Sequence, residues 1–361
     1  MSRATSARLS FCSTSVTRGA FFACAVLFGC APSQNTALVE PTEVLTAVED
    51  SAAEEAAPPG ERERVEALLT VVTEEGSSDA AAAIDPTESR ARPCGELPMG
   101  MACVPGGDFW IGADGDEHDC DQPEALRDAN AGTGPRHHVW LETFYIDITE
   151  VTHEAYQECA RSRECEAARP LYRDYNAPTQ PMTGMNWFQA QAYCEYRGGR
   201  LPTEAEFEAA SGGPDGELTP FGNEPVTCEN AIIMDERGRA CGVPKRGQHP
   251  ETGRIFEVAS RPAGRYGLHD MVGNAEEWVL DWWAPDYGTC GDECLSDAPR
   301  GPCAAATSCD GYRRRVVRGG SWYWPANHAT SRHRRRYEPD NQPPHHFGFR
   351  CVVPLDAVAE P

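Results

Sequence analysis

The sequence predicts an α+β domain that is rich in loops and has little regular secondary structure. Two segments, 187–196 and 204–210, have the apolar spacing and the start signals of helices, whereas short runs on either side favour strands. After residue 210, glycine, proline and asparagine dominate, and no internal repeat is visible. All eight tryptophans lie between Trp110 and Trp324, so the folded core is expected there.

The predicted strands are short. Residues 109–112 favour a strand that enters a glycine-containing turn, and an acidic loop follows at 114–121. Residues 138–147 alternate polar and apolar side chains, as in a half-buried strand. Near the C-terminal end, strands are predicted at 316–317 and 349–353.

Two helices are predicted in the first half of the domain. Thr152 is placed to cap a helix over 153–160, because its hydroxyl can accept a hydrogen bond from a free N–H of the first turn. Residues 187–196 predict an amphipathic helix that ends at Gly198 and Gly199.

A third helix is predicted over 204–210. Thr203 caps it after Pro202, and Glu206 lies at the third helical position, as in a capping box. Carboxylates also favour a helix N-terminus electrostatically. We therefore interpret this segment as structural, and a catalytic carboxylate within it is the alternative.

The first 30 residues predict a secretion signal. They contain no acidic residue, three arginines and a short apolar run at 20–28, which is too short for a transmembrane helix. The run ends Leu-Phe-Gly-Cys, which resembles a bacterial lipobox with Cys30 as the lipidated residue. An ordinary signal peptide that contains a cysteine is the alternative. The prediction is an exported protein of the bacterial cell envelope, anchored by lipid and facing the periplasm or the exterior.

Residues 31–93 predict a disordered acidic tether. Residues 31–92 contain 14 acidic residues, 4 arginines, no lysine and no aromatic residue, so they cannot bury enough apolar surface to offset the entropy of ordering. The folded domain is expected over 94–355, with a tail at 356–361. The formal charge of −24 argues against a nucleic-acid partner, because phosphates require a basic surface.

The cysteines favour a disulfide-bonded, exported domain. Of the 16 cysteines, 13 follow the leader, a density typical of an oxidising compartment. A zinc site is the alternative, but no paired C-x-x-C motif is present. Short spacings suggest four local pairs. They are Cys159 with Cys165, Cys228 with Cys241, Cys290 with Cys294, and Cys303 with Cys309.

A series of short motifs between residues 104 and 351 indicates the family. Together they resemble the formylglycine-generating enzyme (sulfatase-modifying factor) domain family, over the whole of the predicted domain. In chain order the motifs are Val-Pro-Gly-Gly-Asp-Phe-Trp-Ile-Gly at 104–112, Phe-Tyr-Ile-Asp at 144–147, Glu-Val-Thr at 150–152, Arg-Leu-Pro-Thr-Glu-Ala-Glu-Phe-Glu at 200–208, Gly-Asn-Ala-Glu-Glu-Trp at 273–278, Arg-Gly-Gly-Ser-Trp at 318–322 and Gly-Phe-Arg-Cys at 348–351.

The resemblance implies a C-type-lectin-like, loop-rich fold and a long-range disulfide between Cys194 and Cys351. Cys94, Cys103 and Cys120 then remain, so one thiol is expected to be left over.

The resemblance also implies calcium in the segment 270–277. If the family's ligands are transferred to the matching positions of this sequence, the side-chain ligands are Asp270 and Glu277, and the carbonyl ligands are Gly273 and Ala275. Hard Ca²⁺ takes six to eight oxygens, which such a loop can help to supply. A second family site would start at Asn230, but the cysteine-bounded insertion at 228–241 interrupts its remaining ligands.

The C-terminal motif decides between two functions. In the family's oxidase two cysteines bind copper(I), a soft ion that prefers thiolates. The equivalent positions here are Trp324 and Ala329, although Ser321 matches the family's active-site serine and Arg332 a commonly basic position. Calcium is therefore expected as a ligand and copper is not.

The nearby histidines and arginines offer other interpretations. The histidines that could take the place of the thiolates are better explained as solvated loop residues. The arginines beside the aromatic run at 322–324 could line a groove for an anion or a sugar, or they could pair with carboxylates. These residues are His328, His333, His345, His346, Arg334, Arg335 and Arg336.

The function that the sequence favours is a binding or envelope-associated module. Its partner would be an unidentified protein, peptide or glycan, with the membrane reached through the lipid anchor. The alternative is an oxidase that converts a sulfatase cysteine to formylglycine, or another metal-dependent oxygenase.

Overall fold

The computed structural model describes residues 91–114, 132–222, 224–244, 253–341 and 346–358. Within them the chain forms short strands and short helices joined by long loops, as the sequence predicts. The strands are β1 Met101–Val104, β2 Gly107–Ile111, β3 His137–Leu141, β4 Phe144–Asp147, β5 Glu276–Trp282, β6 Arg315–Arg318, β7 Arg334–Tyr337, β8 Phe347–Gly348 and β9 Val352–Pro354. The helices are α1 His153–Ser162, α2 Trp187–Tyr196, α3 Glu204–Gly212, α4 Tyr287–Cys290, α5 Asp292–Leu295 and α6 Leu355–Val358.

The described strands form three small sheets. Strands β1, β4 and β9 form one antiparallel sheet with β4 at its centre, and β2 and β3 form a hairpin. The third sheet has the order β7-β6-β5-β8, in which only the β5–β8 pair is parallel.

The described core has two large apolar clusters and two smaller ones, and strand residues alternate between the two large clusters. On β5, Trp278 belongs to the first cluster and Val279 to the second. On β6, Val317 and Val316 divide in the same way. Because both faces of these strands are covered, their sequences lack the alternation that identifies a half-exposed strand.

The helix caps agree with the sequence predictions. Thr152 Oγ1 accepts from the N–H of Ala155 at 3.2 Å, and α1 continues to Ser162. Thr203 and Glu206 form the predicted capping box, and α3 runs two residues further than predicted. Helix α2 has the predicted bounds and has a second capping box, between Asn186 and Gln189, which the sequence analysis did not identify.

Three strand predictions need correction. The single strand expected at 138–147 is two strands, β3 and β4. The extended conformation is interrupted between them, and each strand joins a different sheet. The strand expected at 349–353 is confined to β9, since residues 349–351 turn between sheets. The sequence missed β5, which is buried along its whole length.

The leader, the lipobox cysteine Cys30, residues 31–90 of the tether and Cys120 lie outside the described residues. Most of the predicted acidic loop at 114–121 lies outside them as well. No helix among the described residues is long and apolar enough to cross a membrane.

Candidate functional site

The segment 270–277 forms a tight turn that leads into β5. Asp270 has a positive φ of 57°, and its Oδ2 accepts from the N–H of Ala259 at 2.7 Å. The N–H of Gly273 bonds to the carbonyl of Gly319, which ties the turn to the end of β6. Asp270, Gly273 and Ala275 therefore lie in a buried loop, and Glu277 follows it on β5.

Glu277 is bound by a buried arginine. Its two carboxylate oxygens accept from Nε and Nη2 of Arg350, both at 2.7 Å, and neither side chain is exposed. Arg350 also donates to the carbonyls of Asp147 and His269, at 3.1 and 3.0 Å. This guanidinium, from the Gly-Phe-Arg-Cys motif, thus links β4, the turn and β5.

Glu150 is a member of this cluster that the sequence analysis did not assign. It is 1% exposed, and its Oε1 accepts from Nδ2 of Asn274 at 3.0 Å. Its Oε2 is buried and has no hydrogen-bond donor among the described residues. The negative charge of Asp270 acts on Glu150 and raises its pKa. The sequence feature that could have identified Glu150 is the Glu-Val-Thr motif, which by itself indicates only the family.

The three carboxylates disfavour each other's charge. Burial raises the pKa of Glu150 well above its usual range, and the negative charges of Asp270 and Glu277 raise it further. Burial also raises the pKa of Asp270 and of Glu277, although Arg350 opposes both shifts. Three acidic side chains therefore share one guanidinium within the described part of the cluster.

The surplus of negative charge fits a hard cation. A buried carboxylate oxygen without a donor is costly unless a proton or a cation satisfies it. As the side chains stand, no group of three or more His, Cys, Asp or Glu residues in the described ranges is spaced to hold a metal. The ligand set that the resemblance implies has two carboxylates and two main-chain carbonyls. The residues present are chemically suited to Ca²⁺, which would neutralise the cluster and hold the turn.

Asn230, the predicted start of a second calcium site, uses its side chain in local hydrogen bonds. Its Oδ1 accepts from the N–H of Thr227 at 2.8 Å, and its Nδ2 donates to the carbonyl of Pro225 at 3.3 Å. These bonds close a local turn. Among the described residues, no group of three or more His, Cys, Asp or Glu that could hold a metal lies beside it.

The two copper positions of the family hold apolar side chains. Ala329 is fully buried in an apolar cluster with Ala231, Ile233 and Val272. Trp324 is half-buried, and its ring stacks on His328 with the centroids 5.3 Å apart.

A guanidinium and a histidine pair surround Trp324. The Arg335 guanidinium lies 4.5 Å from the centroid of the indole ring. Nδ1 of His328 and Nε2 of His333 are 3.0 Å apart. The indole Nε1 is buried and has no acceptor among the described residues. The first of the two positions that carry thiolates in the family's oxidase therefore lies in an aromatic and cationic cluster, which we call the Trp324 cluster (Trp324, His328, His333, Arg335).

Ser321 and Arg332 lie in the same segment but make structural contacts. Ser321 is fully buried, and its Oγ accepts from the N–H of Tyr323 at 3.4 Å. Arg332 donates to the carbonyl of Gly216. His346 stacks on Tyr323, and His345 lies outside the described residues.

The carboxylates of α3 form a balanced network. Glu204 bonds to Arg318 at 2.7 Å and to Arg334 at 2.6 and 2.7 Å. Although burial opposes the shift, these arginines hold the pKa of Glu204 below its usual value. Glu208 accepts from Arg318 at 2.6 Å. The contacts agree with the structural interpretation of this motif.

Glu206 completes this network. It bonds to Arg200 at 2.6 Å through each oxygen, and Arg200 lowers its pKa although burial opposes that shift. Each acidic side chain of the helix thus has an arginine partner.

Twelve cysteines lie in the described ranges, and all twelve form disulfides. The four local pairs predicted from spacing are present, and so is the pair between Cys194 and Cys351 that the resemblance implied. A sixth disulfide joins Cys94 to Cys103. No described cysteine is therefore available as a thiolate.

Comparison with known proteins places this domain in a family. Residues 87–355 match the model described as "Sulfatase-modifying factor enzyme 1-like domain". A relative described as "Serine/threonine-protein kinase pkn1" from Chlamydia caviae is 31% identical over 273 residues, covering 70% of this chain and 37% of that protein. The chain thus spans about a third of the length of the chlamydial kinases that it matches.

A shorter relative and a solved structure agree with that match. A "Formylglycine-generating enzyme" from Thermomonospora curvata is 34% identical over 188 residues, covering 49% of this chain and 56% of that protein. The structure of PvdO from Pseudomonas aeruginosa superposes with a TM-score of 0.51 at 22% identity, covering 71% of this chain and 94% of that chain. That likeness concerns the fold alone.

Proposed function

Since the chain belongs to the sulfatase-modifying factor enzyme 1-like domain family, we propose that it is a non-oxidase member. It uses the domain as a binding module in the bacterial cell envelope. The observation that carries this proposal is the replacement of the copper-binding thiolate pair by Trp324 and Ala329. Neither an indole nor a methyl group binds Cu(I), which requires soft ligands.

The state of the cysteines supports the proposal. Every cysteine in the described ranges is in a disulfide, whose sulfurs carry no ionisable proton and do not replace the missing pair. Ala329 is sealed in an apolar cluster, and the Trp324 ring is covered by His328 and Arg335. A hydroxyl at Ser321 without thiolates does not supply the oxidase chemistry.

The alternative is a formylglycine-generating oxidase. The likeness to the enzyme from Thermomonospora curvata and the retention of Ser321 favour it. It requires a metal site built from groups other than the described cysteines.

One assay separates these functions. The purified protein is incubated with copper, a reductant and a peptide that bears the Cys-x-Pro-x-Arg motif, beside a formylglycine-generating enzyme. We expect no aldehyde above background by mass spectrometry or hydrazide capture. Aldehyde formed over many turnovers contradicts the proposal. The double variant W324C/A329C is the matched control, since it restores two cysteines at the replaced positions and is expected to gain Cu(I) binding.

The Trp324 cluster is the proposed binding surface. The half-buried indole ring of Trp324 and the Arg335 guanidinium, 4.5 Å from the ring centroid, support this choice. Such an aromatic and cationic pair can contact a peptide or a sugar. We therefore propose a protein, peptide or glycan ligand, and the acidic charge of the chain argues against nucleic acid. For this loop-rich fold we also propose the C-type-lectin-like class that the family resemblance implies.

Export and lipid anchoring belong to the same proposal. Six disulfides within the described domain suit an oxidising compartment. Acylation at Cys30, followed by an acidic tether, would hold the domain away from the membrane surface. Changing Cys30→Ser should release the protein from membranes of the native host. If the variant stays with the membrane and wild type carries no lipid mass, the anchor is wrong.

Calcium is the proposed cofactor, and copper is not. Asp270, Glu277 and the carbonyls of Gly273 and Ala275 are the proposed ligands. The support is the buried negative charge of this turn, which a divalent cation would neutralise.

A further inference from the structure

A small cavity in the described structure belongs neither to the 270–277 turn nor to the Trp324 cluster. Its volume is about 240 Å³. It lies where the turn between β3 and β4, the start of α3, residues 298–300 and the end of β9 meet, and residue 92 also lines it. Separate segments of the chain thus build one concave site, which is the usual setting for a small ligand.

The wall of the cavity is partly apolar. Leu141 and Phe144 lie at the two ends of the β3–β4 turn and are buried, with 3% and 2% of their surfaces exposed. Pro354, at the end of β9, and Leu355, at the start of α6, are half-buried. These side chains can contact the apolar part of a ligand, whereas a hydrated inorganic ion would gain nothing from them.

The charged residues of the wall have an excess of positive charge. Three guanidinium groups, those of Arg92, Arg200 and Arg300, come from separate parts of the chain, and the carboxylates are those of Glu142 and Glu206. Arg200 and Glu206 neutralise each other through two bonds of 2.6 Å. Arg92 lies 3.8 Å from Glu142, and both side chains are about half exposed, so this ion pair is weak.

Arg300 is the remaining cation of the wall. It is exposed, and its side chain makes no ion pair or hydrogen bond within the described part of the chain. Three positive and two negative groups leave the cavity with one positive charge, although the whole chain has a formal charge of −24. Exposed charges more than about 8 Å away are largely screened at physiological ionic strength, so the local excess decides which ligand is favoured.

We propose that this cavity binds a small carboxylic acid with an apolar body. The carboxylate pairs with Arg300, because a guanidinium presents parallel N–H donors that match its two oxygens. The body lies against Leu141, Phe144 and Leu355. A single negative charge matches the single unbalanced guanidinium, whereas a dianion would keep an uncompensated charge in a partly apolar cavity. The inference is independent of the ligand surface and of the calcium site proposed above.

The test measures the binding of two acids to the purified chain by ligand-observed NMR. Sodium benzoate and sodium hexanoate are the probes, and benzamide and hexanamide are their uncharged controls. Arg300→Gln removes the positive charge, and Arg300→Lys keeps it. Arg313→Gln is the matched control, since Arg313 is also an exposed arginine but does not line the cavity.

Wild type should bind both acids saturably at millimolar concentration and should bind the amides more weakly by about tenfold or more, because a charge-assisted hydrogen bond is lost. Arg300→Gln should weaken the binding of the acids by a similar factor, whereas Arg300→Lys should keep most of it. Arg313→Gln should bind as wild type does. Because Arg300 is exposed and makes no bond, its variants should melt as wild type does, which excludes unfolding as the cause.

The inference is wrong if neither acid binds wild type saturably, or if the amides bind as tightly as the acids. It is also wrong if Arg300→Gln binds the acids as wild type does, because the carboxylate then pairs with another group. None of these results bears on the oxidase assay or on calcium binding, so the proposed function is tested separately.

Discussion

Two groups of three buried carboxylates in this molecule differ in their balance of charge. The glutamates of α3, which are Glu204, Glu206 and Glu208, are paired with Arg318, Arg334 and Arg200. The second group, Glu150, Asp270 and Glu277, shares Arg350.

The pKa directions follow this difference. The arginines lower the pKa of Glu204 and Glu206 against the effect of burial, whereas burial prevails at the second group and raises all three values. A balanced set of buried ions holds structural elements together. An unbalanced set takes up either a proton or a cation, and a cation is what we propose for this one. Both sets come from family motifs, so motif strength alone does not separate structure from function.

The largest expected effect concerns the disulfide beside Arg350. Cys351 follows that arginine and is bonded to Cys194, 157 residues away in sequence. Chain-entropy models give a loop of this length a stabilisation of about 4–5 kcal/mol, so Cys194→Ala with Cys351→Ala should lower the free energy of unfolding by up to that amount. Urea unfolding followed by fluorescence measures the change.

A short disulfide provides the control. Cys303 and Cys309 are six residues apart, and their removal should cost about 2 kcal/mol in the same model. Equal losses in the two double variants would show that loop length does not govern these bonds. In wild type, peptide mapping that finds Cys194 or Cys351 alkylated as a free thiol would contradict the pairing.

The second-largest effect is expected from a substitution in the arginine–glutamate network of α3. Arg318→Met leaves Glu204 with one arginine and Glu208 with none, so the free energy of unfolding should fall by about 3–5 kcal/mol. Arg336→Met is the control, because this arginine lies exposed on the neighbouring strand β7 and its loss should cost within about 0.5 kcal/mol. Similar melting temperatures for the two variants would refute the structural interpretation of the α3 network.

The third effect concerns calcium binding at the group of Glu150, Asp270 and Glu277. Binding to the native state alone adds about 2.7 kcal/mol at a hundredfold excess of calcium over its Kd. Chelation should therefore lower the melting temperature of wild type, and Asp270→Ala or Glu277→Ala should abolish the difference. If the chelator does not change the melting temperature of wild type, the proposed calcium site is wrong.

The last effect is a pH dependence at Asp281, next to the glutamates of α3. Burial, followed by the charge of Glu204, raises the pKa of Asp281 to about 7. The native state then holds a proton that the unfolded chain, with a pKa of about 3.9, has lost. This contribution to stability is full below pH 4 and declines as the pH rises to 7, by at most about 1.4 kcal/mol per pH unit.

Asp281→Asn tests this directly. Melting temperatures of wild type and variant between pH 5 and 8 should converge at low pH and diverge as the pH rises, with the variant the more stable. Parallel curves would show that Asp281 does not titrate in this range.

The sequence predicted the fold wherever local chemistry decides it. Thr203 and Glu206 identify the start of α3 because a capping box is built from side chains three residues apart. The short cysteine spacings identified four disulfides for the same reason. Strand β5 was missed because both of its faces are buried, so Trp278 and Val279 show no alternation.

The candidate site was predictable only in part. The family motif identified Asp270 and Glu277, but Glu150 lies 120 residues earlier in the chain and joins them only through the fold. Arg350 was likewise recognised as a motif residue, but its bond to Glu277 depends on where β5 and residue 350 meet. The sequence shows that Trp324 replaces a cysteine of the family's oxidase. The sequence does not show that the Trp324 ring lies against His328 and Arg335, because strand β7, which carries Arg335, is not predicted from it.

The metal content of the purified protein tests the central claim most directly, which is that the domain keeps a cation site but not the oxidase centre. Inductively coupled plasma mass spectrometry should find about one calcium per chain, and copper at background even after incubation with Cu(I) under reducing conditions that leave the disulfides intact. Stoichiometric copper, or a chain that holds no calcium at millimolar concentration, would contradict the account.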